Sequence, residues 1–165
     1  MHATNRLTID YRLTGAGWAA CTIRFDQAAC EITASYLSDA LAKLVLGALG
    51  IVADLHSVSI GFDEEPGEYR WSVVRIDNDT IRVTILSFPE LWENHPDTSG
   101  EPLMTFECST VEFGRAVLDA ANRVQAEHGA GGYAEKWDMP FPARELAVLE
   151  SWLAVRDRTH SDHTH

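Results

Sequence analysis

The stretch ACEITASYLSDALAKLVLGALGIV, residues 29–52, decides the fold, because the spacing of its apolar side chains changes along it. Cys30, Ile32 and Ala34 alternate with Glu31 and Thr33, the two-residue period of a strand with one buried face. From Leu37 onward the apolar positions recur every three to four residues, through Leu41, Leu44, Val45, Ala48, Leu49 and Val52, which is the stripe of a packed helix. Ser35 or Ser38 is placed to cap its start by accepting a bond from a free backbone amide. Leu46 and Ile51 lie off the stripe, so the helix is expected to be covered on more than one side.

Upstream of this switch, Leu7, Ile9, Tyr11 and Leu13 alternate with polar residues, and Ala19 to Phe25 gives a further strand. Three strands therefore precede the helix, turning at Gly15-Ala-Gly17 and at Asp26-Gln-Ala28. Downstream, Ser57 to Asp63 and Tyr69 to Ile76 form a hairpin around Pro66-Gly67, the pair expected in a type II turn, where proline fixes its φ and glycine supplies φ > 0. Asp77-Asn-Asp79 makes the next turn, and Ile81, Val83 and Ile85 carry the next strand. Pro89 to Pro102 has no period and is a long polar loop, a length that in a compact domain points to function.

Leu103 to Cys108 reads as the last strand, and Ser109 to Glu112 matches a capping box that opens a helix. Phe113, Val117, Ala120, Ala121 and Val124 give that helix its buried stripe as far as about Glu127, and Gly129 is placed to end it. Residues 129–141 read as a connection, and Pro142 opens a final helix with Leu146, Leu149, Trp152 and Leu153. The order βββαββββαα predicts an α+β fold, with one antiparallel sheet of six to seven strands and about three helices on one face. The 165 residues suit a single domain over 1–155. Residues 156–165 have no large apolar side chain to offset the entropy of ordering, so they are expected to form a disordered tail.

Charge says more about partners than about fold. Between Asp54 and Glu112 thirteen acidic residues face only Arg70, Arg75 and Arg82, so most of the net charge of -12 lies in that stretch. A surface of one sign concentrates opposite charge and repels nucleic acid. With only two lysines, Lys43 and Lys136, the chain also lacks the cation clusters that phosphate neutralisation needs. No run approaches the roughly 18 apolar residues that span a bilayer, and the start of the chain lacks a signal-peptide pattern, so the expected location is the cytoplasm.

The usual chemical motifs are missing. Gly15-Ala-Gly17-Trp-Ala-Ala20 meets the loosest dinucleotide pattern, but Cys21 to Phe25 continues as a strand where a helix N-terminus is needed. The three cysteines, Cys21, Cys30 and Cys108, fall in step with apolar neighbours and read as small buried hydrophobes. His56, His95 and His128 are isolated. There is no nucleophile elbow, zincin pair, phosphate loop or EF-hand spacing, so the sequence offers no catalytic residue, metal ligand or cofactor site.

The strongest candidate is the acidic turn of Asp63, Glu64, Glu65 and Glu68, which Tyr69 and Trp71 follow directly. An aromatic beside a charged tip is the composition of an interface hot spot, although Trp71 also suits the core. The 89–102 loop adds Trp92, Glu93 and Asp97, with Trp92 either packing down as an anchor or facing a partner. Ala34-Ser-Tyr-Leu-Ser-Asp-Ala-Leu41 followed by Phe62-Asp-Glu-Glu-Pro-Gly-Glu-Tyr-Arg-Trp71 resembles a group of small bacterial α+β proteins, over about residues 30–155. Its small, acidic, motif-free character is similar to that of the immunity proteins that neutralise polymorphic toxins. The resemblance implies a non-enzymatic protein that neutralises a basic toxin, and the acidic turn and loop put the expected contact region at Asp63, Glu64, Glu65, Glu68, Trp92, Glu93 and Asp97. The alternatives are a small-molecule-binding or catalytic domain with a pocket between sheet and helices, and an accessory homodimer joined at a strand edge.

Overall fold

The computed structural model describes residues 6–90 and 95–162, with side chains as far as Arg158. Strands β1 (Leu7–Gly15), β2 (Trp18–Phe25) and β3 (Ala28–Ser35) lead into helix α1 (Ala40–Val52). Strands β4 (Ser57–Asp63), β5 (Glu68–Arg75), β6 (Thr80–Phe88) and β7 (Glu101–Ser109) follow, and then helices α2 (Thr110–Trp137) and α3 (Ala143–Asp162). The order is the one the periodicity predicts.

The strands form two antiparallel sheets, β1-β2-β3 and β4-β5-β6-β7, where the sequence predicts one. Every ladder joins strands that are neighbours in the chain, whereas α1 intervenes between β3 and β4 and leaves their pairing unspecified by any turn. Side chains make the join instead. Ser35 Oγ donates to the Asp63 carbonyl at 3.1 Å, and the Phe25 and Phe106 rings stack between the sheets with centroids 4.9 Å apart.

Helix α1 packs on β4, α2 packs on β1, and α3 covers both α1 and α2. An aromatic path runs through the core from Tyr11 on β1 to Phe62 on β4, Trp71 on β5 and Phe113 on α2, with successive centroids 6.1, 5.7 and 6.3 Å apart. Trp71 is fully buried, so it serves the core and not an interface. Such rings contribute both area and edge geometry to the packing.

Several local expectations change in detail. Asp39, not either serine, caps α1, accepting from the Ala42 amide at 3.2 Å, while Ser35 is committed to Asp63. Ile51 is buried as expected but Leu46 is exposed, so α1 is covered less completely than its composition implies. At the β4–β5 turn the Glu65–Pro66 peptide is cis and Gly67 does not have positive φ, so the turn is not type II. Glycine is needed there for another reason: a Cβ at position 67 would lie 2.4 Å from the Phe88 carbonyl oxygen.

Gly129, at φ 69°, does interrupt α2, but the chain resumes the helix to Trp137 instead of forming a connection. Tyr133 and Trp137, one turn apart and both fully buried, supply the apolar face that this second segment packs inward. Helix α3 continues past Val155, where the sequence reading begins a tail. Polar contacts account for the extension: Arg156 donates to the Val52 carbonyl at 3.2 Å and pairs with Asp54, and Asp157 pairs with Arg115.

Candidate acidic interaction site

The antiparallel order of the second sheet decides where the acidic residues gather. β4 ends at Asp63, β5 starts at Glu68, β6 ends at Phe88 and β7 starts at Glu101, so the 64–67 turn and the 89–100 connection leave the same end of the sheet. Asp54, Asp77 and Asp79 belong to the other end. An eight-residue strand spans about 26 Å, so these two groups of acids are separate sites and not one face.

Arg70 organises the first end. Its side chain is only 12% exposed and pairs with Glu68 Oε1 at 3.0 Å and with Asp97 Oδ1 at 2.9 Å. Nη1 also donates to the His95 carbonyl at 2.8 Å. The guanidinium lies 4.2 Å from the Phe88 ring centroid, and that ring stacks on His95 at 5.9 Å. Burial works against the charge of Arg70, but its bonds to Glu68 and Asp97 outweigh this and raise its pKa above the ordinary value. A planar fork suits this arrangement, since it can bond two carboxylates and a carbonyl while its face rests on an aromatic ring.

The predicted residues divide accordingly. Glu68 and Asp97 come together on Arg70, and Asp63 is half-buried with Lys43 3.9 Å away. Glu64 bonds Tyr69, whose hydroxyl is pushed up by burial and then by the charge and hydrogen bond of Glu64. Glu65 stands exposed at the turn. Among the described residues no cation pairs with Glu64 or Glu65. Trp92 and Glu93 lie outside the described residues.

Arg70 was not singled out from sequence, because an arginine on the outer side of an alternating strand reads as a solvated charge. Away from this cluster, Trp18 opens β2 and Tyr36 follows the end of β3. They are 43% and 57% exposed beside Ser35, the residue bonded to Asp63.

Other groups in the molecule are withdrawn from chemistry. Burial raises the thiol pKa of Cys21 and pushes that of Cys108 up to about 12, so neither is an available thiolate nucleophile near neutrality. Cys30 is half-buried, more open than the sequence implies, and burial raises its pKa too. Among the described residues no group of His, Cys, Asp or Glu is arranged to hold a metal ion, and no helix is long and apolar enough to cross a membrane. A cleft of about 480 Å³ between β1 and α2 is lined by Asp10, Arg12, Arg123 and Glu127 among others. No protein-family model, curated protein or solved structure matches this chain.

Proposed function

We propose that the chain is a non-enzymatic interaction protein that binds a basic protein partner, most concretely an immunity protein that covers and neutralises a cationic toxin. The observation that carries this reading is the convergence of the 63–68 turn and Asp97 around Arg70, with Glu64 and Glu65 outside the ion pairs among the described residues. Carboxylates already ordered by Arg70 require less reorganisation on association. Charge of one sign at their edge accelerates encounter with a cationic surface.

The test begins with capture from a lysate of the source organism at low ionic strength, followed by kinetics on the purified pair. The association rate should fall steeply with added salt, and Glu64→Gln with Glu65→Gln should slow association more than it changes dissociation. An association rate indifferent to salt sinks the electrostatic reading. Co-expression with the captured protein tests immunity itself, since a true toxin should kill only cells lacking this chain.

The small-molecule alternative draws its support from the β1–α2 cleft, where Arg12 and Arg123 face Asp10 and Glu127. A compound that raises the melting temperature of the wild type, but not of Arg123→Ala, would favour it. Sedimentation of the same samples reads the homodimer alternative directly.

A further inference from the structure

The outer edge of β1 stays open at a point that α2 does not close. Bonding alternates along a strand, and each residue turns its N–H and its carbonyl to the same side. Arg6 accepts the Asp26 amide on the β2 side, while the Ile9 carbonyl accepts Arg123 of α2, so the odd-numbered residues of β1 face away from β2. Tyr11 is the next of these. β1 pairs with β2 alone, and among the described residues the Tyr11 amide and carbonyl have no hydrogen-bond partner.

The Tyr11 side chain is turned into the core, 2% exposed with its ring against Phe62, so this residue meets the surface through its main chain. There it lines the cleft of about 480 Å³ with Asp10, Arg12, Arg123, Ala126 and Glu127. Pockets that bury a ligand span roughly 300 to 1,000 Å³, so the space suits a short occupant. Charge is in register with the open backbone. Asp10 and Arg12 flank Tyr11 on the other face of the sheet, bonded to each other at 2.7 Å and each nearly half exposed. A ladder donor and acceptor on one residue are matched together by one residue of an extended chain, which exchanges both bonds with it.

We infer that the β1 edge at Tyr11 is a peptide-binding site, taking a short extended segment antiparallel to β1 with the order Glu-x-Lys, where x is apolar. The central residue exchanges both bonds with Tyr11, and its neighbours set the glutamate opposite Arg12 and the lysine opposite Asp10. This gives the β1–α2 cleft a ligand class and does not rest on the acidic interaction site.

The probe is acetyl-Thr-Glu-Val-Lys-Thr-amide, titrated into the isotope-labelled full chain at low ionic strength, with Kd read from amide chemical shifts. Before peptide is added, the Tyr11 amide should exchange with solvent faster than those of Asp10 and Arg12, which β2 holds. Shifts on titration should centre on residues 9–13 and 123–127. N-methylation of the peptide's valine, which removes the N–H offered to Tyr11, should weaken binding by about fivefold or more. N-methylation of its lysine, whose N–H points away from β1, should change Kd by less than about twofold. Equal losses from the two N-methylated peptides, shifts centred elsewhere, no binding, or Tyr11 exchange as slow as its neighbours' would each overturn the inference. So would equal affinity for acetyl-Thr-Lys-Val-Glu-Thr-amide, in which the charges are exchanged. Failure here leaves the acidic reading standing, because Glu64 and Glu65 take no part in the measurement.

Discussion

The two ends of the second sheet each contain a nearly buried arginine among acids, yet the two arginines do different work. At the turn end Arg70 ties carboxylates together, joining Glu68 to Asp97. At the opposite end Arg75, 14% exposed, spends its donors on backbone carbonyls: Ile51 at 2.8 Å, Leu55 at 3.3 Å and Asn78 at 2.6 Å. Arg156 reaches the adjacent Val52 carbonyl from α3. The last turn of α1 contains no basic residue, so arginines from a strand and another helix satisfy its open carbonyls and its negative dipole end. Asp54 sits between these two arginines as their counter-charge. Identical side chains thus order a surface at one end and close a helix at the other.

This contrast predicts unequal consequences. Arg75→Ala should be the most damaging, because it strands the part-buried Ile51 carbonyl at the end of α1 and also removes the bonds to the exposed Leu55 and Asn78 carbonyls. A loss of about 2 to 4 kcal/mol is expected, read as a fall of roughly 5 to 15 °C in melting temperature. Gly67→Ala comes next, at about 1 to 3 kcal/mol, because the new methyl group meets backbone at Phe88 and not a side chain that can rotate away. Arg70→Ala should cost less, about 1 to 2 kcal/mol, since Asp97 is half-exposed and regains water. Its effect should also be local: amide exchange should quicken over 95–102 and stay unchanged in α1. If Arg70→Ala and Arg75→Ala lose equal stability, with protection lost in the same places, the division of labour is wrong.

The smallest effect belongs to Asp77. Its carboxylate accepts the amides of Asp79 and Thr80 at 3.1 and 2.9 Å, and these bonds hold its pKa below the ordinary value. A lowered folded pKa means that its stabilisation is present above the unfolded value of 3.8 and fades as pH falls through the folded value. Melts of wild type and Asp77→Asn should therefore converge as pH is lowered from 5 to about 2. A gap that stays constant over that range would show that the carboxylate is not responsible.

Much of the architecture was legible because it is local. The switch of period near Leu37 located the first helix, and the Ser109 cap formed as read, accepting the Glu112 amide at 3.0 Å. Even there tertiary structure redirected a partner, for Glu112 faces Arg6 at 3.7 Å. What escaped was non-local. Nothing in the β3–α1–β4 segment says whether its strands share a ladder, because register is set by turns and the connection here is a helix. The acidic site was half legible: Glu64, Glu65 and Glu68 belong to one visible turn. Asp97 joined them only through Arg70, across 27 positions of sequence. The aromatic beside the acidic turn that the sequence favours, Trp71, belongs to the core.

The contact between α2 and β1 has a consequence for how the molecule is made. All the ladders of both sheets close between consecutive strands, so they can form as the chain emerges, with little loop entropy to overcome. β1, an edge strand, waits far longer for its cover. Arg123 donates to the Ile9 carbonyl across 114 positions, so that seam closes only when most of the chain has been synthesised. Until then the nascent protein carries an uncovered strand edge, the kind of surface that invites pairing with another chain. Substitutions on the β1-facing side of α2 should therefore show first in soluble yield during synthesis, ahead of any change in the finished fold.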